Sequence, residues 1–166
     1  MPPTIVFNSA ELACLHEAGH AETALNVGAR VVEMELYRQE PRSYGRTRVN
    51  RTEDQRCHIA LGGFAVEYLL FRAGRLVKQD GQPPTEKEFI DYAINNAVED
   101  RINFFGHDCA EADGIWPPAL DKKFIQFAIG RAENKMCLAL VERIADALLA
   151  AEKLDEAAVQ QIAGSP

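Results

Sequence analysis

Cysteine, histidine and long apolar runs are all scarce in these 166 residues, and each scarcity closes off a class of protein. The four cysteines, Cys14, Cys57, Cys109 and Cys137, are widely scattered and form no C-x-x-C pair. Neither a zinc ribbon nor a disulfide framework is indicated, and they read as reduced core thiols. No uncharged run approaches ~18 residues, and Met1-Pro2-Pro3-Thr4 shows no basic stretch leading into an apolar one. Both observations speak against a membrane span or signal peptide and for a cytoplasmic protein. Positive charge is also short, with 18 Lys and Arg against 25 Asp and Glu and a formal net charge of −7. Nucleic acid or an anionic membrane surface would repel such a chain, so neither is an expected partner. Repeats, low-complexity segments and linkers are missing. With 47% hydrophobic residues the chain can bury one sizeable core, which predicts a single domain over 1–166.

Two of the four histidines sit in His16-Glu17-Ala18-Gly19-His20. Residues four apart lie one turn apart on the same helix face, so the His16 and His20 imidazoles can converge on one metal ion. Glu17 then stands beside the metal, placed to take a proton from a zinc-bound water and pass it to a leaving amine, which is metallopeptidase chemistry. The surroundings support a buried helix: Ala10, Cys14, Ala18, Ala21 and Leu25 share one side, and Leu12, Leu15 and Gly19 widen it. Polar side chains buried there need partners, because leaving one unsatisfied costs roughly 1–3 kcal/mol.

The pattern along the chain predicts a mainly α, single-domain bundle of about four to five helices with a small β-ribbon after the first helix. Asn8 with Glu11 reads as a capping box opening a helix that runs to Val27 and stops at Gly28. Alternation over Arg30 to Tyr37 reads as a strand, followed by a short strand from Arg46 to Asn50. A second helix follows Thr52, with Gln55 at the matching capping position, and reaches about Arg72. Gly62-Gly63 in its middle costs roughly 1 kcal/mol per glycine, so close approach of the histidine helix is expected there. Thr85 caps a third helix to about Phe105, with Phe89, Tyr92, Ala93, Ala97 and Ile102 inward. A loop from Gly106 to Pro118 leads into a long fourth helix over Ala119 to Ala151, and Asp155 caps a short last one. Arg38, Arg42, Arg46 and Arg48 read as solvated ribbon charges or as a surface for an acidic peptide or partner.

A catalytic zinc needs a third protein ligand and one open position. His58 and His107 read as exposed or hydrogen-bonding residues. Glu88 and Asp91, early in the third helix where a carboxylate also complements the helix dipole, are the carboxylate candidates. Glu67 reads as a surface ion-pair residue or as the acceptor for a ligand imidazole.

His16-Glu17-Ala18-Gly19-His20-Ala21, the Arg30-Val31-Val32 strand and Ala60-Leu61-Gly62-Gly63-Phe64-Ala65-Val66-Glu67 together resemble the peptidase domain of FtsH-type ATP-dependent zinc metalloproteases. The similarity extends through Arg131-Ala132-Glu133, Ala147-Leu148-Leu149 and Leu154-Asp155 and so covers nearly the whole chain. The resemblance implies a zinc metallopeptidase with an aspartate ligand at the start of the helix after the Gly-Gly helix. Ala93 and Ala97 match that helix's alanines, but strict register puts Phe89 at the ligand position. A one-residue offset favours Glu88, with Asp91 as the alternative. The family's ATPase module and membrane segments have no counterpart in this sequence, so the expectation is a stand-alone hydrolase. It would hold Zn2+ through His16, His20 and Glu88, with Glu17 as general base and the Arg30 to Tyr37 strand edge receiving a peptide or unfolded protein, with or without a separate ATPase partner. The rival reading is a non-catalytic binding or regulatory domain that keeps the fold.

Overall fold

In the computed structural model, which describes residues 3–165, the histidine helix is the element around which the others assemble. Met1, Pro2 and Pro166 lie outside the described residues, so half of the tetrapeptide read for a leader is not covered. Helix α1 (Ala10–Asn26) is capped by Ser9, whose hydroxyl accepts the Leu12 N–H at 3.1 Å. The expected cap, Asn8, instead has φ 65° and turns the chain into the helix from the left-handed region. Val27 forms the C-cap, and Gly28 at φ 77° ends the helix as its sequence predicts.

The chain then forms β2 (Arg30–Tyr37) and β3 (Tyr44–Asn50), which follow the short β1 (Ile5–Val6). β1 pairs in parallel with β4 (Leu76–Val77). The expected two-stranded ribbon is a three-stranded antiparallel sheet in the order β3-β2-β5, because β5 (Lys153–Asp155) adds to the far side of β2. β2 is therefore central, and β3 presents the free edge beside α1. This corrects the expectation that the Arg30 to Tyr37 strand offers that edge.

The architecture is mainly helical, as predicted, but the helices outnumber the four or five expected because three of them are each broken in two. The second becomes α2 (Glu53–Ile59) and α3 (Gly62–Arg72), the third α4 (Glu86–Asn96) and α5 (Val98–Phe105), and the fourth α6 (Pro118–Lys135) and α7 (Leu138–Ala151). The terminal α8 (Glu156–Gly164) is capped by Asp155, as its sequence predicts. Each break hands backbone groups to side chains elsewhere. The Ile59 carbonyl accepts from His20 Nδ1 at 2.8 Å, and those of Ile94 and Ala97 accept from buried Arg101. At the third break, Glu22 accepts the Cys137 N–H at 3.0 Å.

One apolar cluster runs from Ile5 to Val159 and includes Phe64, Phe89 and Phe124, with Phe64 5.8 and 5.9 Å from the other two ring centroids. Gly19 and Gly62 let α1 and α3 touch along their backbones: a Cβ on either would overlap the other glycine's main chain. The glycine pair thus serves the close approach expected of it. Of the cysteines, all free, only Cys14 is buried, whereas Cys137 is exposed. No helix among the described residues is long and apolar enough to cross a membrane.

Candidate metal centre

His16 and His20 project from the same face of α1, and hydrogen bonds made by their Nδ1 atoms fix both rings. His20 Nδ1 lies 2.8 Å from the Ile59 carbonyl, which can only accept, so Nδ1 carries the proton. His16 Nδ1 lies 2.8 Å from Oε1 of Glu67, a buried residue of α3. Each ring is left with Nε2 directed inward, and the two Nε2 atoms stand 3.1 Å apart. Gly63 makes room for this arrangement, since any Cβ there would collide with the His16 ring.

The third donor comes from α5. Asp100 Oδ1 is 3.2 Å from His20 Nε2, and Oδ2 is 3.3 Å from His16 Nε2. His16, His20 and Asp100 form a group able to hold a metal ion. Asp100 is held in register by its neighbour Arg101. That side chain is buried, ties back to the end of α4, pairs with Asp121 at 2.6 Å and stacks 4.7 Å from the Trp116 ring.

Glu88 and Asp91 do not reach this group. Both are exposed on α4. Glu88 completes a capping box by accepting the Thr85 N–H at 2.8 Å and pairs with Lys78 at 2.9 Å, while Asp91 pairs with Lys87 at 2.5 Å. The carboxylate that stands with the two histidines therefore comes from one helix later than the sequence register implied. His58 and His107 are exposed and also stand apart. Of the two readings left open for Glu67, the imidazole partner is the one the structure displays. One signal could have found Asp100: it extends the buried stripe Phe89, Ala93, Ala97 by one more turn, and an acid in a buried stripe needs a partner.

The donor set fits a divalent cation. Two unprotonated Nε2 atoms and a carboxylate facing one another repel unless a proton or cation lies among them, and Asp100 Oδ2 is buried without a hydrogen bond. Donors bonded at about 2.0–2.1 Å in a tetrahedron stand about 3.3 Å apart; the two Nε2 atoms are 3.1 Å apart, and each has one Asp100 carboxylate oxygen at 3.2 or 3.3 Å, Oδ1 for His20 and Oδ2 for His16. Without a cation, protons take that role. Burial opposes charging His16, but Asp100 and Glu67 outweigh it and raise its pKa well above the usual value. Burial likewise opposes charging His20, and Asp100 again prevails. Burial would raise the Asp100 carboxyl, yet the two imidazoles hold it well below the carboxylate range.

Glu17 borders the same space but does not join the donor group. Its Oε2 accepts from the Thr47 hydroxyl of β3 at 2.7 Å, and a side chain at Gly45 would displace its stem. The residue is 8% exposed, so the carboxylate is fixed yet reachable. The group lies in a cleft of about 590 Å³ that runs along β3 and is also lined by α1, α5 and the loop before β3. No protein-family model matches the chain, and no curated protein matches it significantly.

Proposed function

We propose that the protein is a zinc metallopeptidase of the FtsH-peptidase type, in which His16, His20 and Asp100 hold the metal and Glu17 is the general base. The observation that carries this reading is the convergence of three protein donors beside a separately anchored Glu17 at the side of a free strand edge. Three donors leave a tetrahedral ion one open position, the arrangement of catalytic and not structural zinc, which weighs against the non-catalytic alternative. Two imidazoles and one carboxylate are a donor set that catalytic zinc uses.

Zinc bound here would supply a Lewis acid that acidifies water and polarises the substrate carbonyl. The protein's own residues do the rest. Backbone groups on the exposed edge of β3 align an extended peptide across the cleft. Glu17, held by Thr47, takes the proton from the attacking water and delivers it to the leaving amine. Glu67 and the Ile59 carbonyl keep both imidazoles in the tautomer that presents Nε2 inward. Short or unfolded peptides are the proposed substrates, in a cytoplasmic setting and with a separate ATPase as a partner for folded ones.

The test is hydrolysis of an unfolded protein such as reduced casein by the zinc-loaded chain. Glu17→Gln is expected to lower the rate by at least about a hundredfold, the scale of a lost general base, with zinc content unchanged. Undiminished hydrolysis by that variant would remove Glu17 from the mechanism.

A further inference from the structure

The charge along the cleft is opposite in sign to that of the whole chain. The protein carries a formal net charge of −7, yet Arg42, Arg46, Arg48, Arg51 and Arg56 all border the cleft. Three of the acids that line it, Glu17, Glu67 and Asp100, belong to the metal centre or its support, which leaves Glu99 facing the arginines.

These arginines are not equivalent. Arg48 pairs with Glu33 at 3.4 Å, Arg56 pairs with Glu53 at 2.7 Å, and Arg46 stands opposite Glu35 in the strand register. Neither Arg42 nor Arg51 forms a close ion pair among the described residues: Arg51 bonds the side-chain oxygen of Asn103 at 3.3 Å and feels Glu53 only at longer range. Both are exposed. They also bracket β3, Arg42 two residues before its first residue and Arg51 directly after its last. A seven-residue strand spans about 23 Å at about 3.3 Å per residue. An extended peptide paired along it would have a free guanidinium near each end and the metal centre between them.

From this we infer that the cleft selects peptides with acidic residues on both sides of the bond to be cut, with Arg42 and Arg51 as the two carboxylate-binding positions. Guanidinium groups suit this task, since their planar donors match a carboxylate two by two. The inference rests on the peptidase reading for the placement of the bond, but charge selection is measurable without cleavage.

The experiment uses the zinc-loaded chain carrying Glu17→Gln, so that peptide binds without turnover, and reads affinity by calorimetry. Three blocked peptides of about eight residues, the reach of β3, share an Ala-Leu-Ala-Leu centre and carry two Glu, two Gln or two Lys at each end. The Glu peptide is expected to bind about tenfold more tightly than the Gln peptide, the scale of two exposed ion pairs, and the Lys peptide more weakly than either. The preference should shrink as salt rises from about 50 to about 500 mM. Adding Arg42→Gln and Arg51→Gln together should erase it while leaving the Gln peptide unchanged, a control that the variant remains folded. Equal binding of the Glu and Gln peptides, no binding of any, or a preference that survives both arginine changes would overturn the inference. The peptidase reading is judged separately: if the intact zinc-loaded chain cleaves none of the three while the Glu preference holds, that reading fails and acidic-peptide recognition stands.

Discussion

Glu67, Glu88 and Asp100 carry nearly the same group and do three different things, each dictated by what surrounds it. Glu67 is buried on α3 and can act only on the His16 imidazole. Asp100 is buried against two imidazoles, where it completes a group able to hold a metal ion. Glu88 has a purely local task at the start of α4: the Thr85 N–H, then Lys78 and the Thr85 hydroxyl, hold its carboxyl down at about 2. The pattern Thr85-x-x-Glu88 is a capping box in the sequence itself, and reading that acid as a ligand overlooked the more local use. A carboxyl whose folded-state pKa lies below its ordinary 4.5 stabilises the fold above the ordinary value and stops doing so as pH falls through the depressed one. Glu88→Ala should therefore lower stability at neutral pH, and the difference from the parent should close between pH 4.5 and about 2. Chemical denaturation across that range reads the effect. Zinc content is expected to be unchanged, and its loss would restore Glu88 as a ligand.

The helices show why the metal centre was half legible. His16, Glu17 and His20 depend only on the period of one helix, which sequence reveals. Asp100 depends on the break at Ala97 that turns α5 toward α1 and α2, and nothing local announces that break. Ala60-Leu61, Ala97 and Met136-Cys137 contain neither glycine nor proline, so propensity continues the helix through each of them. The first and third breaks meet groups distant in sequence, His20 and Glu22; at the second, Arg101 is four residues away but is anchored by the more distant Asp121 and Trp116. The Gly62-Gly63 pair was legible as a contact because its propensity cost called for compensation, and both glycines do lie against α1. Gly63→Ala forces a methyl into the His16 ring and should destabilise the protein by about 1–3 kcal/mol, the usual scale of overpacking. Its zinc affinity should fall as well. A variant that matched the parent in both denaturation midpoint and zinc affinity would show that α3 does not seat that imidazole.

The whole molecule is tied together by a polar contact deep beside α1. Glu22, two residues beyond the second histidine, pairs with Arg131 of α6 at 2.6 Å and accepts the Cys137 N–H where α6 gives way to α7. Both side chains are buried, so removing one leaves the other charged without a partner. Glu22→Ala should cost about 3–5 kcal/mol in denaturant unfolding, and a loss under about 1 kcal/mol would mean that the pair contributes no more than a surface one does. The same embedding that costs so much to disturb holds α1 still between the sheet and α3, which the metal centre requires. Zinc stoichiometry tests that centre most directly: elemental analysis of the full chain after equilibration with zinc and removal of excess, beside Asp100→Asn treated identically. Near one zinc per parent chain, with uptake by the folded variant much weakened, is the predicted result. A folded parent that takes up no zinc, or a variant that holds it as tightly as the parent, would contradict the assignment of His16, His20 and Asp100.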